Sequence, residues 1–133
     1  MSRLAMPLVF HRRFQLWSYS VGHSVLLLRS NMDGGQESRI DLMFRSVTAV
    51  KLRCRYERLL INITRPDQLG DSPADLREIT DRFIFVIGED AEDLGYVVAG
   101  ALFYSEDDLD YGEPSAIDHR ELQSHVIASG HFR

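Results

Sequence analysis

Alternation of apolar and polar residues with a period of two recurs from Phe14 to Ile63, and it commits that stretch to strands rather than helices. Phe14-Gln15-Leu16-Trp17-Ser18-Tyr19 is one such strand, rich in aromatics, and Gly22 permits a bend after it. His23 to Arg29 reads as a second strand, apolar on both faces, as a central or doubly covered strand is. Asn31-Met32-Asp33-Gly34-Gly35 is the clearest turn, because Asp and Gly tolerate the positive φ of tight hairpins. From Arg39 to Phe44 the alternation is strict, with Ile40, Leu42 and Phe44 on one side and Arg39, Asp41 and Met43 on the other. Val47 to Arg55 extends it, placing Val50, Leu52 and Cys54 inward and Lys51, Arg53 and Arg55 outward. Leu59 to Ile63 is a further short strand.

Beyond Pro66 the signals change. Pro66, Gly70 and Pro73 mark residues 66–75 as a loop, and Ser72-Pro73-Ala74-Asp75 has a helix-start pattern that predicts a short helix to about Thr80. Phe83 to Ile87 reads as a buried strand, and Gly88 to Leu94 as an acidic connection. Gly95 to Tyr104 reads as one long final strand, whose small residues predict something bulky packed over it. Residues 105–133 read as an acidic loop followed by a peripheral C-terminal segment. Asp118-His119-Arg120-Glu121 has capping-box spacing and predicts a helix over 119–128, with frayed ends from Gly130 to Arg133.

The expected fold is therefore mainly β within a single domain spanning 1–133: an antiparallel sandwich, or a partly open barrel or roll, of six to eight strands with one or two short helices. Hydrophobic residues make up 44% of the chain, enough for a real core. Cys54 is the only cysteine, so no internal disulfide forms, which fits a reducing compartment. The apolar run Leu8-Val9-Phe10 falls short of the roughly 7–15 residues of a signal-peptide core. Nothing approaches the ~20 apolar residues of a membrane helix. The expected location is the cytoplasm, without membrane contact.

The net charge of −5 conceals a split. Residues 1–68 hold 11 basic and 5 acidic side chains, a balance of +6; residues 69–133 hold 4 and 15, a balance of −11. Lys51, Arg53 and Arg55 would emerge from one strand face roughly 7 Å apart, near the spacing of successive phosphates. Their alternative role is the solvated face of an antiparallel sheet. Overall acidity and the lack of interleaved aromatics disfavour nucleic acid. Asp107, Asp108 and Asp110 lie in an acidic run without EF-hand spacing, so they read as a solvated loop or as a lure for a basic protein partner, including a second copy of the chain.

No constellation for catalysis, metal or cofactor stands out. His119, His125 and His131 are spaced six apart, which suits no zinc helix. An acid–base pair of His23 with Asp41 would require a particular strand register. There is no phosphate loop, nucleophile elbow or Cys-x-x-Cys pair. Trp17 and Tyr19, two residues apart, would share a face and, with His23 and residues from Val97 to Phe103, could line a pocket. The expectation is a non-enzymatic protein-interaction module, immunity- or antitoxin-like or self-associating as a homodimer, with a small-molecule-binding barrel as the alternative.

Overall fold

A computed structural model describes residues 2–33, 35–65, 68 and 81–133. The predicted loop over 66–75 and the helix start at Ser72 lie almost wholly outside the described residues, as does Gly34 of the first turn. Twelve strands are described, more than expected, in the mainly β class that the alternation predicts. They form two sheets, antiparallel apart from one short parallel pair, in a sandwich-like arrangement with no closed barrel.

The larger sheet takes its centre from β4 (Val25–Ser30), β5 (Arg39–Arg45) and β11 (Ala101–Asp107). On one flank lie β3 (Phe14–Ser20) and the two-residue β7 (Arg55–Tyr56); on the other lie β12 (Val126–Phe132) and β1 (Ser2–Arg3). The smaller sheet runs in the order β2 (Leu8–Phe10), β8 (Leu59–Thr64), β9 (Phe83–Gly88), β10 (Leu94–Ala99) and β6 (Ala49–Lys51).

Between the sheets, alternate residues build one core. Leu26, Leu28, Ile40, Leu42, Phe44 and Leu102 from the larger sheet pack with Leu59, Ile61, Phe85, Ile87, Val97 and Ala99 from the smaller. Phe44 and Phe85 meet edge to face at 5.2 Å. Each of these large side chains is almost fully buried, which stabilises by roughly 1.5–3 kcal/mol apiece before entropy is counted.

Two continuous strands of the sequence reading are broken, and each break moves the chain between sheets. The segment Val47–Arg55 ends as a strand at Lys51, crosses over, and resumes at Arg55 in the other sheet. Period two does not carry through the crossing, so Cys54 is exposed rather than inward, and Val50 is 39% exposed. The segment Gly95–Tyr104 likewise splits at Gly100 into β10 and β11. Gly100 donates its N–H to the Arg45 carbonyl at 2.9 Å, and a methyl group there would come within 3.1 Å of the Ser46 side chain. Ser46 itself has φ of +58° and begins the passage from β5 to β6, so that change of sheet lies beside the one at Gly100. At Gly95 the close neighbour is the Lys51 backbone, not a bulky side chain.

The C-terminal segment is not peripheral. Arg120–His125 forms a 3-10 helix, and β12 then enters the larger sheet antiparallel to β11. Strand pairing wins over the capping-box pattern because Val126 to Phe132 finds an open ladder on β11. Gly130, expected to fray, pairs with both Tyr104 and Ser2. Among the described residues no helix is long and apolar enough to cross a membrane.

Candidate functional site

The outer face of the larger sheet carries the chemistry. Register alone sets Arg29 on β4 opposite Asp41 on β5, and Arg39 on β5 opposite Asp107 on β11. Directly opposed residues share a face, so four charges line up across three strands. Arg29 binds Asp41 with two parallel bonds, Nε to Oδ1 at 2.7 Å and Nη2 to Oδ2 at 3.1 Å. Arg39 binds Asp107 in the same way at 3.0 and 3.2 Å, and its Nη2 lies 3.8 Å from Asp41. Two positive and two negative charges balance, and all four side chains are at most 2% exposed.

The segment after β11 covers them. The Asp110, Glu113 and Pro114 carbonyls accept hydrogen bonds from Arg39, and the Tyr111 carbonyl accepts one from Arg29. Asp107 Oδ1 accepts the Leu109 N–H at 2.9 Å. These bonds supply the remaining partners that a buried guanidinium or carboxylate needs, and without which its desolvation would not be offset. Asp107 is thus a buried counter-ion rather than part of a solvated acidic loop. Asp108 and Asp110 remain exposed, and the Asp108 carboxylate lies 2.8 Å from Nδ1 of His125.

Beside this cover lies an open groove of about 810 Å³ on the same face, bordered by Trp17, Ser18, Ser20, His23, Leu27, Met43 and Arg45. Trp17, which follows the inward Leu16 and sits at a bulge between Leu16 and Ser18, lies on this face, where the Arg29 guanidinium stacks 4.9 Å from the ring centroid and Tyr111 meets its edge. The same bulge separates Trp17 from Tyr19, which stands opposite the core residue Leu26 on the other face. The expected aromatic pair is therefore not formed. His23 is exposed in the turn before β4, 3.5 Å from the Ser20 hydroxyl. It does not meet Asp41, which both arginines occupy. Val97, Val98, Ala99 and Leu102 are fully buried, so they do not line a pocket with Trp17 and His23.

The third feature is the border of the sheet. β7 pairs only with Phe14 and Gln15, and Leu16 donates to the Cys54 carbonyl. Among the described residues, Trp17 to Ser20 have no strand on that side. Ser18 and Ser20 are exposed, Tyr19 is 46% exposed and Val21 is 82% exposed.

The basic stripe is not one surface. Lys51 ends β6 in the smaller sheet, Arg53 lies in the crossing and Arg55 begins β7 in the larger sheet. Arg53 pairs with Glu89 and stacks 4.8 Å from the Tyr56 ring. Across the chain, Arg39–Asp107, Arg45–Asp118 and Arg53–Glu89 each join the basic first half to the acidic second. The charge split is thus partly an internal pairing.

A separate polar cluster closes one end of the interior. Arg12 donates to Ser30 Oγ at 2.7 Å and to Ser38 Oγ at 3.2 Å, and Ser38 donates in turn to Glu106. The Tyr104 hydroxyl donates to Glu106 at 3.2 Å. Burial, with the neighbouring Glu106 charge, pushes the Tyr104 phenol up to about 12. Among the described residues no three His, Cys, Asp or Glu side chains group as metal ligands. No protein-family model, curated protein or solved structure matches this chain.

Proposed function

We propose that this chain is a non-enzymatic protein-interaction module that takes an extended polypeptide strand along the Trp17–Ser20 border of β3. The observation that carries this reading is a strand border left open and without charge. Phe14 to Leu28 contains no Asp, Glu, Lys or Arg, the longest such run in a chain that is 26% charged. Sheet borders that stay unpaired are normally blunted by charge or proline, and this one is blunted only by the bulge at Trp17. A strand added here would gain main-chain hydrogen bonds from β3, with the groove beside Trp17 taking its side chains. The purely electrostatic form of an antitoxin-like module has less support, because Arg53 and Asp107, two of the charges that motivated it, pair within the chain. The single exposed cysteine suits the cytoplasm, where we place the module.

Peptide display tests this reading. Extended peptides selected on sparsely immobilised protein should be lost on a Tyr19→Lys, Val21→Lys variant and should shift the emission of Trp17, the only tryptophan. Selection of no peptide that distinguishes wild type from this variant would refute it.

A second reading rests on the groove itself. Trp17, His23 and Arg45 could hold a small aromatic anion there. Stabilisation of the protein by such compounds, abolished by Trp17→Ala, would favour this reading over strand docking.

A further inference from the structure

The geometry points to a further binding site: a cleft at the β7 end of the larger sheet that takes a small zwitterion of the α-amino-acid class between Arg55 and Asn31. The cleft has a volume of about 270 Å³ and is bordered by Arg13, Gln15, Arg29, Asn31, Arg55 and Glu57, with Asp33 at its rim. That is below the ~300–1,000 Å³ of sites for drug-sized ligands, so its occupant is smaller.

Register builds the cleft. Gln15 on β3 stands opposite Arg29 on one side and Arg55 on the other. Arg55 on β7 and the end of β4 are therefore two strand spacings apart, about 10 Å, with Gln15 between them. A long guanidinium side chain and a short ligand together span such a gap.

Two groups here lack what their chemistry requires. Asn31 is 8% exposed, and its Oδ1 is buried without a hydrogen-bond donor. A buried acceptor left so is costly, and it calls for an N–H or O–H. The residue itself is held in place, because its backbone carbonyl accepts the Asp33 N–H at 2.9 Å and an Arg12 N–H at 3.3 Å. On the other side, Glu57 pairs with Arg13 and Glu89 with Arg53, which leaves Arg55 exposed and without an ion pair among the described residues. Arg29 is not a second open cation, because both Asp41 oxygens occupy it.

One cation and one orphaned acceptor select the ligand. A simple anion would answer Arg55 but set its own lone pairs against Asn31 Oδ1. A simple amine would answer Asn31 and be repelled by Arg55. A molecule with a carboxylate and an ammonium a short distance apart satisfies both: the carboxylate takes two guanidinium N–H bonds from Arg55, and the ammonium donates to Asn31 Oδ1. Asp33, two residues beyond Asn31, adds negative charge at the ammonium end. The Gln15 amide, with a donor and an acceptor, serves either group.

Titration calorimetry on the full chain tests this, with glycine, serine and glutamine as probes beside acetate and the N-acetyl and amide forms of each amino acid. At least one free amino acid should bind with a dissociation constant of about 1 mM or tighter. Its N-acetyl form, its amide and acetate should each bind at least about tenfold more weakly. Arg55→Met and Asn31→Leu should each weaken binding of the free amino acid by a similar factor while far-UV circular dichroism stays unchanged. Arg55 is exposed, so its variant keeps the test valid if Asn31→Leu fails to fold. Binding of no free amino acid, binding of acetate or the amide as tight as that of the free amino acid, or binding that ignores Arg55→Met overturns the inference.

Discussion

The middle and the border of the larger sheet treat charge in opposite ways. In the middle, four charged side chains on β4, β5 and β11 are buried, balanced and hydrogen-bonded beneath the segment 108–118. At the border, β3 and the turn after it carry no Asp, Glu, Lys or Arg at all, yet Tyr19 and Val21 face solvent. The usual order is the reverse: apolar residues in the covered columns, charge on the exposed strand. The middle columns use charge to fix register, because a one-residue slip would separate Arg29 from Asp41 and Arg39 from Asp107. The border lacks the charge that would repel another strand. One sheet thus has a locked centre and, under the proposal of strand docking, a receptive edge.

The largest expected effect is in the centre. Asp41→Ala leaves Arg29 and Arg39 buried with a single carboxylate between them and should cost ~3–5 kcal/mol, read as a fall in the urea midpoint. An Asp41→Leu, Arg29→Met double variant removes a whole pair and should recover most of that loss. If the double variant is no more stable than Asp41→Ala, the buried charges are not the source of the cost. At the border the expectation inverts. Tyr19→Lys should change stability by no more than about 0.5 kcal/mol, as exposed substitutions do, while weakening strand docking.

A smaller effect lies at the polar end of the core. With its phenol at about 12 when folded against about 10 when unfolded, Tyr104 favours the protonated form in the folded state. Its contribution is fully present below pH 10 and is lost as pH rises from about 10 to about 12. Tyr104→Phe should flatten the fall in stability over that window, measured by urea titrations at successive pH values. The smallest effect is expected for Arg53→Ala, whose pairing with Glu89 is at the surface; its urea midpoint should match the wild type.

The β class and the faces of Arg39 to Phe44 were legible from alternation, and the strands at Leu59 and Phe83 from short apolar runs, because each lies wholly within one sheet. The changes of sheet were not. Alternation across Gly95–Tyr104 and Val47–Arg55 looks continuous, and only the crowding at Gly100 and the end of β6 at Lys51 show where the chain changes sheet. That hidden turn misplaced Cys54 and assembled a basic stripe from three separate positions. The Arg–Asp network was half visible. Arg39 and Asp41 fall on one face in the sequence, but their partners Arg29 and Asp107 are found only through strand register. The bulge at Trp17 left no signal in the pattern and decided which aromatic faces the groove.

Amide hydrogen exchange at the border tests the central claim most directly. Without peptide, the amides of Trp17 to Ser20 that point away from β4 should exchange quickly. With a saturating selected peptide they should slow, while the amides of β5 and β11 remain unchanged. Exchange at Trp17 to Ser20 that is independent of any selected peptide would contradict the account of β3 as the binding edge.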